Sequence, residues 1–279
     1  MNRKPFYNSP YVINNNHAHA QSLTSAFFIN ENSGNLLNDT SKNKKNISLN
    51  NMTWTANGIS NTSNSQYGVL DNSNETIINS IEGTVIAYFK SFSFFNDNSI
   101  RNIFTNNTNN GLIFGKYSTN TLWLYFSDGS TSHYIQVVGS DVPTWETGVC
   151  IAWRWDLNNA LQGANHLAIS INGVLVTPVS AVRATTWATT AKVANIGILN
   201  DYSTVTNEAN GELQYLFTYS KAIPDNLVKS IYETPYAMVY KPNYLSNFLG
   251  AYAPSILPTT MYKRHKHFGA NALPIGIGL

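Results

Sequence analysis

Residues 147–177 read TGVCIAWRWDLNNALQGANHLAISINGVLVT, and their spacing leaves little freedom of fold. Val149, Ile151, Trp153 and Trp155 occupy every second position, with Cys150, Ala152 and Arg154 between them. Side chains of a strand alternate between its faces, so the four large residues share one apolar face. Leu167, Ile169 and Ile171 repeat the pattern. Asn172-Gly173 follows, then a short apolar run at 174–176. Alternating runs joined by Asn-Gly specify antiparallel pairing, because both residues tolerate the positive φ that a tight hairpin turn demands.

The same grammar recurs along the chain. Residues 84–90 (TVIAYFK), 111–116 and 121–127 (TLWLYFS) read as strands, the last with Leu122, Leu124 and Phe126 on one face. Asp128-Gly129 reads as a turn, and residues 133–138 as the returning strand. Residues 193–199 and 211–220 read as two more, with Leu213, Tyr215, Phe217 and Tyr219 placed on one face. One segment reads as helix: Pro224 suits its start, Leu227/Ile231 and Val228/Tyr232 are spaced i,i+4, and Pro235 ends it. Many short strands predict an all-β, two-sheet antiparallel jelly-roll sandwich with one short helix. Charged residues make up only 11% of the chain, against roughly 25% in an average soluble protein. A helical bundle, whose wet faces need charge, does not fit that composition.

The ends read differently. Residues 1–21 are Asn-rich with Pro5 and Pro10, and are expected as an extended N-terminal arm. Residues 22–236 form the sandwich, and 237–279, broken by Pro242, Pro254, Pro258 and Pro274, an extended C-terminal arm. No apolar run approaches the roughly 20 residues of a membrane-spanning helix, and residues 1–16 lack the apolar core of a secretory signal. A net charge of +2 gives no global field to recruit nucleic acid or an acidic membrane, and the basic cluster at 263–267 (KRHKH) reads as a solvated patch. Cys150, alone, forms no internal disulfide and reads as a small buried strand residue.

Five segments in order resemble laminin-G-like, concanavalin A-like lectin-glucanase jelly rolls. They are the hairpin at 147–177, AFFINENSGNLLNDTSKNKKNIS at 26–48, EGTVIAYFK at 82–90, VANIGILND with NGELQYLFTY between 193 and 219, and SKAIPDNLVKSIYETPY at 220–236. The resemblance implies the sandwich and covers about 22–236. It is of the kind found in phage and large-virus virion proteins. Such domains often hold Ca²⁺ through an Asp in the strand matched by 211–219. Here Gln214 stands at that position, a neutral amide in place of a hard anionic ligand, so Ca²⁺ at that site is not expected. Asp39, in the matched turn, is the remaining candidate cation ligand, against an alternative role as an Asx-turn residue.

Catalytic patterns are missing from the sequence. Retaining glycosidases need two carboxylates about 5 Å apart, and glucanases of this fold carry them as E-x-D-x-(x)-E on one strand. No such run occurs, and the nearest pair, Glu208 and Glu212, is split by Asn210-Gly211. Nucleophile elbows and phosphate loops are also absent, so the chain is expected not to be an enzyme. His17/His19 and His265/His267 are His-x-His pairs whose rings share a side when extended, and His265 and His267 are candidate metal ligands in a symmetric assembly. Trp123, Trp153 and Trp155 lie on strands and are assigned to the core. Trp145 and Trp187 lie in loop-like contexts and are candidate ligand-stacking residues. The expected function is a structural virion protein: a capsid decoration, fibre or tail-associated subunit, homo-oligomeric, assembled in a host cytoplasm. Its arms would bind other virion proteins by ordering on them. The alternative is a carbohydrate-binding adhesin recognising a host-surface glycan, with loops 96–110 and 156–165 or the concave sheet as the ligand site. No specific nucleic acid or membrane is expected as a partner.

Overall fold

Period-2 patterning resolves into two antiparallel sheets. The computed structural model describes residues 11–63, 65–71, 77–78, 81–92, 99–105, 112–118, 121–127, 132–138, 148–182, 195–200, 209 and 211–240. In chain order the strands are β1 (Leu23–Phe27), β2 (Leu36–Leu37), β3 (Ile47–Asn50), β4 (Thr53–Trp54), β5 (Ile59–Ser60) and β6 (Tyr67–Asp71). Next come β7 (Glu82–Phe92), β8 (Arg101–Thr105), β9 (Leu112–Ser118), β10 (Thr121–Ser127), β11 (Ser132–Val138) and β12 (Val149–Asp156). The rest are β13 (Leu167–Ile171), β14 (Val174–Leu175), β15 (Ser180–Val182), β16 (Asn195–Ile198) and β17 (Gly211–Tyr219), followed by helix α1 (Asp225–Glu233). One sheet has eight strands, ordered β14-β13-β12-β7-β17-β5-β4, with β1 also paired to β17. The other has nine, ordered β15-β11-β10-β9-β8-β16-β6-β3-β2. The expected two-sheet antiparallel sandwich is thus the observed fold.

The β12–β13 hairpin sets the core. Trp153 pairs with Ile169 and Trp155 with Leu167, as the alternation requires. Asn172 and Gly173 take φ of 51° and 79°, the positive values of the turn read from sequence. Val149, Ile151, Trp153 and Trp155 all enter the cluster between the sheets. Phe114 of β9 stacks on Trp153 with centroids 5.7 Å apart, and Phe126 of β10 lies 5.5 Å from Trp155. The indoles of one sheet are therefore packed by the phenyl rings of the other, in the interdigitated layer that aligned sandwiches share.

β17 departs from the reading that puts Leu213, Tyr215, Phe217 and Tyr219 on one face. Its register against β7 shifts between Glu212 and Leu213 and again between Leu213 and Tyr215. Gln214 is left as the unpaired residue of a bulge, and the extra residue reverses the alternation. Leu213 and Leu216 enter the inter-sheet core, whereas Tyr215, Phe217 and Tyr219 join a second apolar cluster.

That second cluster covers the outer face of the eight-stranded sheet. It combines Ile86, Tyr88, Cys150, Ala152 and the β17 rings with Phe28, Val228, Ile231, Met238 and Val239. At β12 this sheet is buried on both faces, which explains why every residue of that strand is buried. Arg154 pins the helix from below. It donates from Nη1 to Ile223 O at 3.0 Å and from Nη2 to Ser170 Oγ at 3.2 Å, and it pairs with Asp225 in the first turn of α1. The acidic partner also suits the positive end of the helix dipole.

Of the N-terminal arm expected at 1–21, residues 11–21 are described. They lie on the same cluster, with Tyr11 and Ile13 buried and a 3-10 turn at Ala18–Ala20. Ile13 bridges Val239, Asn14 N donates to Met238 O at 2.8 Å, and Tyr240 N donates to Val12 O at 2.9 Å. His19 is fastened to α1 through Nε2 and Ser230 Oγ, 2.8 Å apart, while its Nδ1 has no partner among the described residues. Burial, and secondarily the neighbouring His17, lowers the His19 pKa from 6.5 to about 4. A histidine held neutral by the fold contributes stability fully above the unfolded pKa of 6.5, and that contribution fades as pH falls toward 4. Urea titrations are expected to show a stability about 1 kcal/mol lower at pH 5.5 than at 7.5 from this group. The difference should vanish in His19→Gln, and an unchanged slope in that variant would refute the assignment.

Candidate binding surface

The sequence TLWLYFS dictates what β10 shows to solvent. With Leu122, Leu124 and Phe126 in the core, Trp123 and Tyr125 must point the other way, onto the outer face of the nine-stranded sheet. There they meet Tyr117 of β9. The register of β9 against β10 shifts between Thr121 and Leu122, and Tyr117 is the residue skipped. Ring centroids are 4.6 Å apart for Tyr117–Trp123 and 5.1 Å for Trp123–Tyr125, tilted by 43° and 35°. On the other side β11 places Gln136 opposite Trp123 and Tyr134 opposite Tyr125. Tyr125 Oη and Ser132 Oγ are hydrogen-bonded at 2.9 Å.

Exposure divides the roles within this row. Tyr117 is 42% exposed and Trp123 only 9%, so Trp123 is a floor and Tyr117 the ring open to solvent. Trp123 Nε1 donates to nothing among the described residues. Trp153 and Trp155 are core residues, as their alternation requires, and Trp123 belongs to this outer row instead. The sequence carries that signal, since alternation around Leu122 and Leu124 fixes the direction of Trp123. Sequence reasoning misses Tyr117 and Tyr125, because the β9 irregularity that brings Tyr117 to Trp123 has no periodic signature.

The other sequence candidates fall as follows. Asp39 is 2% exposed, and its carboxylate accepts from Ala26 N, Ser41 N, Ser41 Oγ and Lys45 N at 2.8–2.9 Å. It closes a turn against the end of β1. Gln214 is half-buried in the β17 bulge. Trp145, Trp187, Glu208, His265 and His267 lie outside the described residues. Among the described residues no group of three His, Cys, Asp or Glu side chains is placed to hold a metal ion. His17 accepts the His19 amide at its own Nδ1, 3.1 Å away, and the two rings meet edge to face. Cys150 is buried under Tyr215 Oη at 3.6 Å, and burial pushes its thiol up to about 12. It stays protonated and unreactive at neutral pH. In the loop at 156–165, the Asp156 carboxylate accepts from Asn158 N, Asn159 N and Asn159 Nδ2 and so organises its own turn.

Fold and surface together define a two-sheet antiparallel jelly-roll sandwich with rings displayed on one outer face. Among solved structures it is similar to the binding domain of botulinum neurotoxin DC in complex with rat synaptotagmin II. The TM-score is 0.58 at 10% identity, covering 77% of this chain and 52% of that one. The receptor binding domain of botulinum neurotoxin C/D mosaic serotype gives 0.57 at 12% identity, covering 78% and 52%. A structure of botulinum neurotoxin type C, whose cell entry depends on interaction with two ganglioside molecules, gives 0.58 at 12%, covering 77% and 51%. The chain thus spans about half the length of the structures it matches, and at these identities the likeness is one of fold. No protein-family model matches the chain, and no curated protein matches it either.

Proposed function

We propose that this protein is a non-enzymatic recognition module that binds carbohydrate on a host surface through the aromatic row of its nine-stranded sheet. The observation that carries the reading is the outward set Tyr117, Trp123 and Tyr125, with Gln136 beside it. Aromatic faces stack on the apolar faces of sugar rings, and tyrosine hydroxyls and an amide supply the polar edge. The similar folds belong to receptor-binding domains, which supports recognition over catalysis. Among the described residues Glu82 and Asp156 stand opposite each other across β7 and β12, but Glu82 is paired with Lys221 and the Asp156 carboxylate closes its own turn; Asp225 pairs with Arg154, and Asp39 and Glu212 accept from backbone amides or hydroxyls.

A finer placement rests on sequence. We read the sandwich as laminin-G-like and the chain as a virion subunit, a capsid decoration, fibre or tail-associated protein. In that reading residues 1–21 and 237–279 tie it to neighbouring virion proteins in a homo-oligomer. Mass spectrometry of purified particles that found no such chain would remove the virion placement. For the recognition reading, a glycan array probed with the native protein is expected to give a defined set of hits. Tyr117→Ala and Tyr125→Ala are expected to weaken those hits at least about tenfold each, a loss of roughly 1.4 kcal/mol, with the folded spectrum retained. Retained binding in both variants would discard the row as the site.

A further inference from the structure

We propose a second site, on the outer face of the eight-stranded sheet, that holds one neutral, hydroxyl-rich sugar unit against Glu212. It goes beyond the aromatic row and shares no residue with it. Three strands build it. In register, Glu212 of β17 pairs with Ser60 of β5 on one side and with Ser91 of β7 on the other. Neighbouring strands lie about 4.8 Å apart, so the side chains form a hydroxyl–carboxylate–hydroxyl row. Leu213 and Ile59 turn into the core, which sends their neighbours Glu212 and Ser60 outward. The row opens into a cleft of about 200 Å³ whose lining adds Thr55, Asn61, Thr62 and Gly211.

The carboxylate is held, and only half used. Its Oε1 accepts from Thr55 Oγ1 and from Asn57 Nδ2, the latter at 3.2 Å. Thr55 Oγ1 in turn accepts Gly58 N at 3.0 Å, so the β4–β5 turn is a clamp on this one oxygen. The clamp depends on Gly58. A Cβ there would lie 1.9 Å from Leu213 O, so only glycine lets the turn press on the bulged β17. Bulges commonly re-aim a side chain beside a functional site, and here the double irregularity around Leu213 sets the direction of Glu212. Oε2, and the hydroxyls of Ser60, Thr62 and Ser91, make no hydrogen bond among the described residues. A fixed acceptor surrounded by three uncommitted hydroxyls matches the donor-and-acceptor pattern of a sugar diol, since each hydroxyl can give and take. With no cation among the described lining residues, Glu212 repels an anionic sugar such as sialic acid.

Backbone amide NMR of the full chain, titrated with glucose, galactose and N-acetylglucosamine, tests this. At least one of them is expected to bind with a dissociation constant of about 1–10 mM, shifting amides near Ser60, Ser91 and Gly211. Sialic acid is expected to leave those amides unmoved. Glu212→Gln, which keeps the side chain's size, and the double variant Ser60→Ala/Ser91→Ala are each expected to weaken binding at least about tenfold with an unchanged melting temperature. Tyr117→Ala is expected to leave it untouched, which separates this site from the aromatic row. Response to calcium chloride instead of sugar, native-strength binding by Glu212→Gln, or no response to any of the three sugars at 100 mM, about tenfold above the weakest expected constant, would each overturn the proposal.

Discussion

Replacing Trp153 with alanine is expected to destabilise the protein by about 3–5 kcal/mol, more than any other single change proposed for this chain. The side chain is fully buried and stacked on Phe114 of the opposite sheet, so its removal opens a void that neither sheet can fill. The measurement is the urea midpoint at constant slope. Trp153→Phe is the matched control. Because the indole Nε1 donates to nothing among the described residues, phenylalanine forfeits no hydrogen bond. It should recover more than half the loss. A cost below about 1.5 kcal/mol for the alanine variant would mean that the inter-sheet layer does not hold the fold as described.

The second large effect is at Asp39. Asp39→Ala is expected to cost about 3–4 kcal/mol, because it strands donors that are buried at the end of β1. Ala26 N, Ser41 N and Lys45 N all lose their acceptor, and the Ser41 hydroxyl loses one of its own. Asp39→Asn, which keeps one oxygen acceptor, should fall between the two. Thermal melts with 1 mM Ca²⁺ or with EDTA discriminate the roles. A turn-closing carboxylate predicts coincident melts, whereas a cation ligand predicts a calcium-dependent rise that Asp39→Asn abolishes.

What the sequence disclosed follows from what periodicity can carry. The faces of β12 and β13 were readable because each strand is regular from end to end, so one alternation fixes eight side chains in β12. The helix was readable because Pro224 and Pro235 bracket it. β17 was not readable as a whole. A single unpaired residue, Gln214, reverses the faces, and nothing in GELQYLFTY marks an insertion. The same limit hid both surfaces. Tyr117 reaches Trp123 through an irregular pairing, and Glu212 meets Ser60 and Ser91 across sequence separations that only topology closes. Asp39 was legible as a pair of alternatives, turn or ligand. Its partners in β1 and beyond, which bear on the choice, are contacts that no local pattern records.

The short ladder joining Ile13 to Val239 has a mechanical meaning. The polypeptide enters and leaves the sandwich side by side, so a load carried by both ends acts across this ladder and not along the sheets. Tyr240 N–Val12 O and then Asn14 N–Met238 O would break in succession, as a zipper opens, while the long pairings of β7, β12 and β17 bear no shear. For a load applied through both ends, the ladder is a weak latch that yields before the body of the sandwich does.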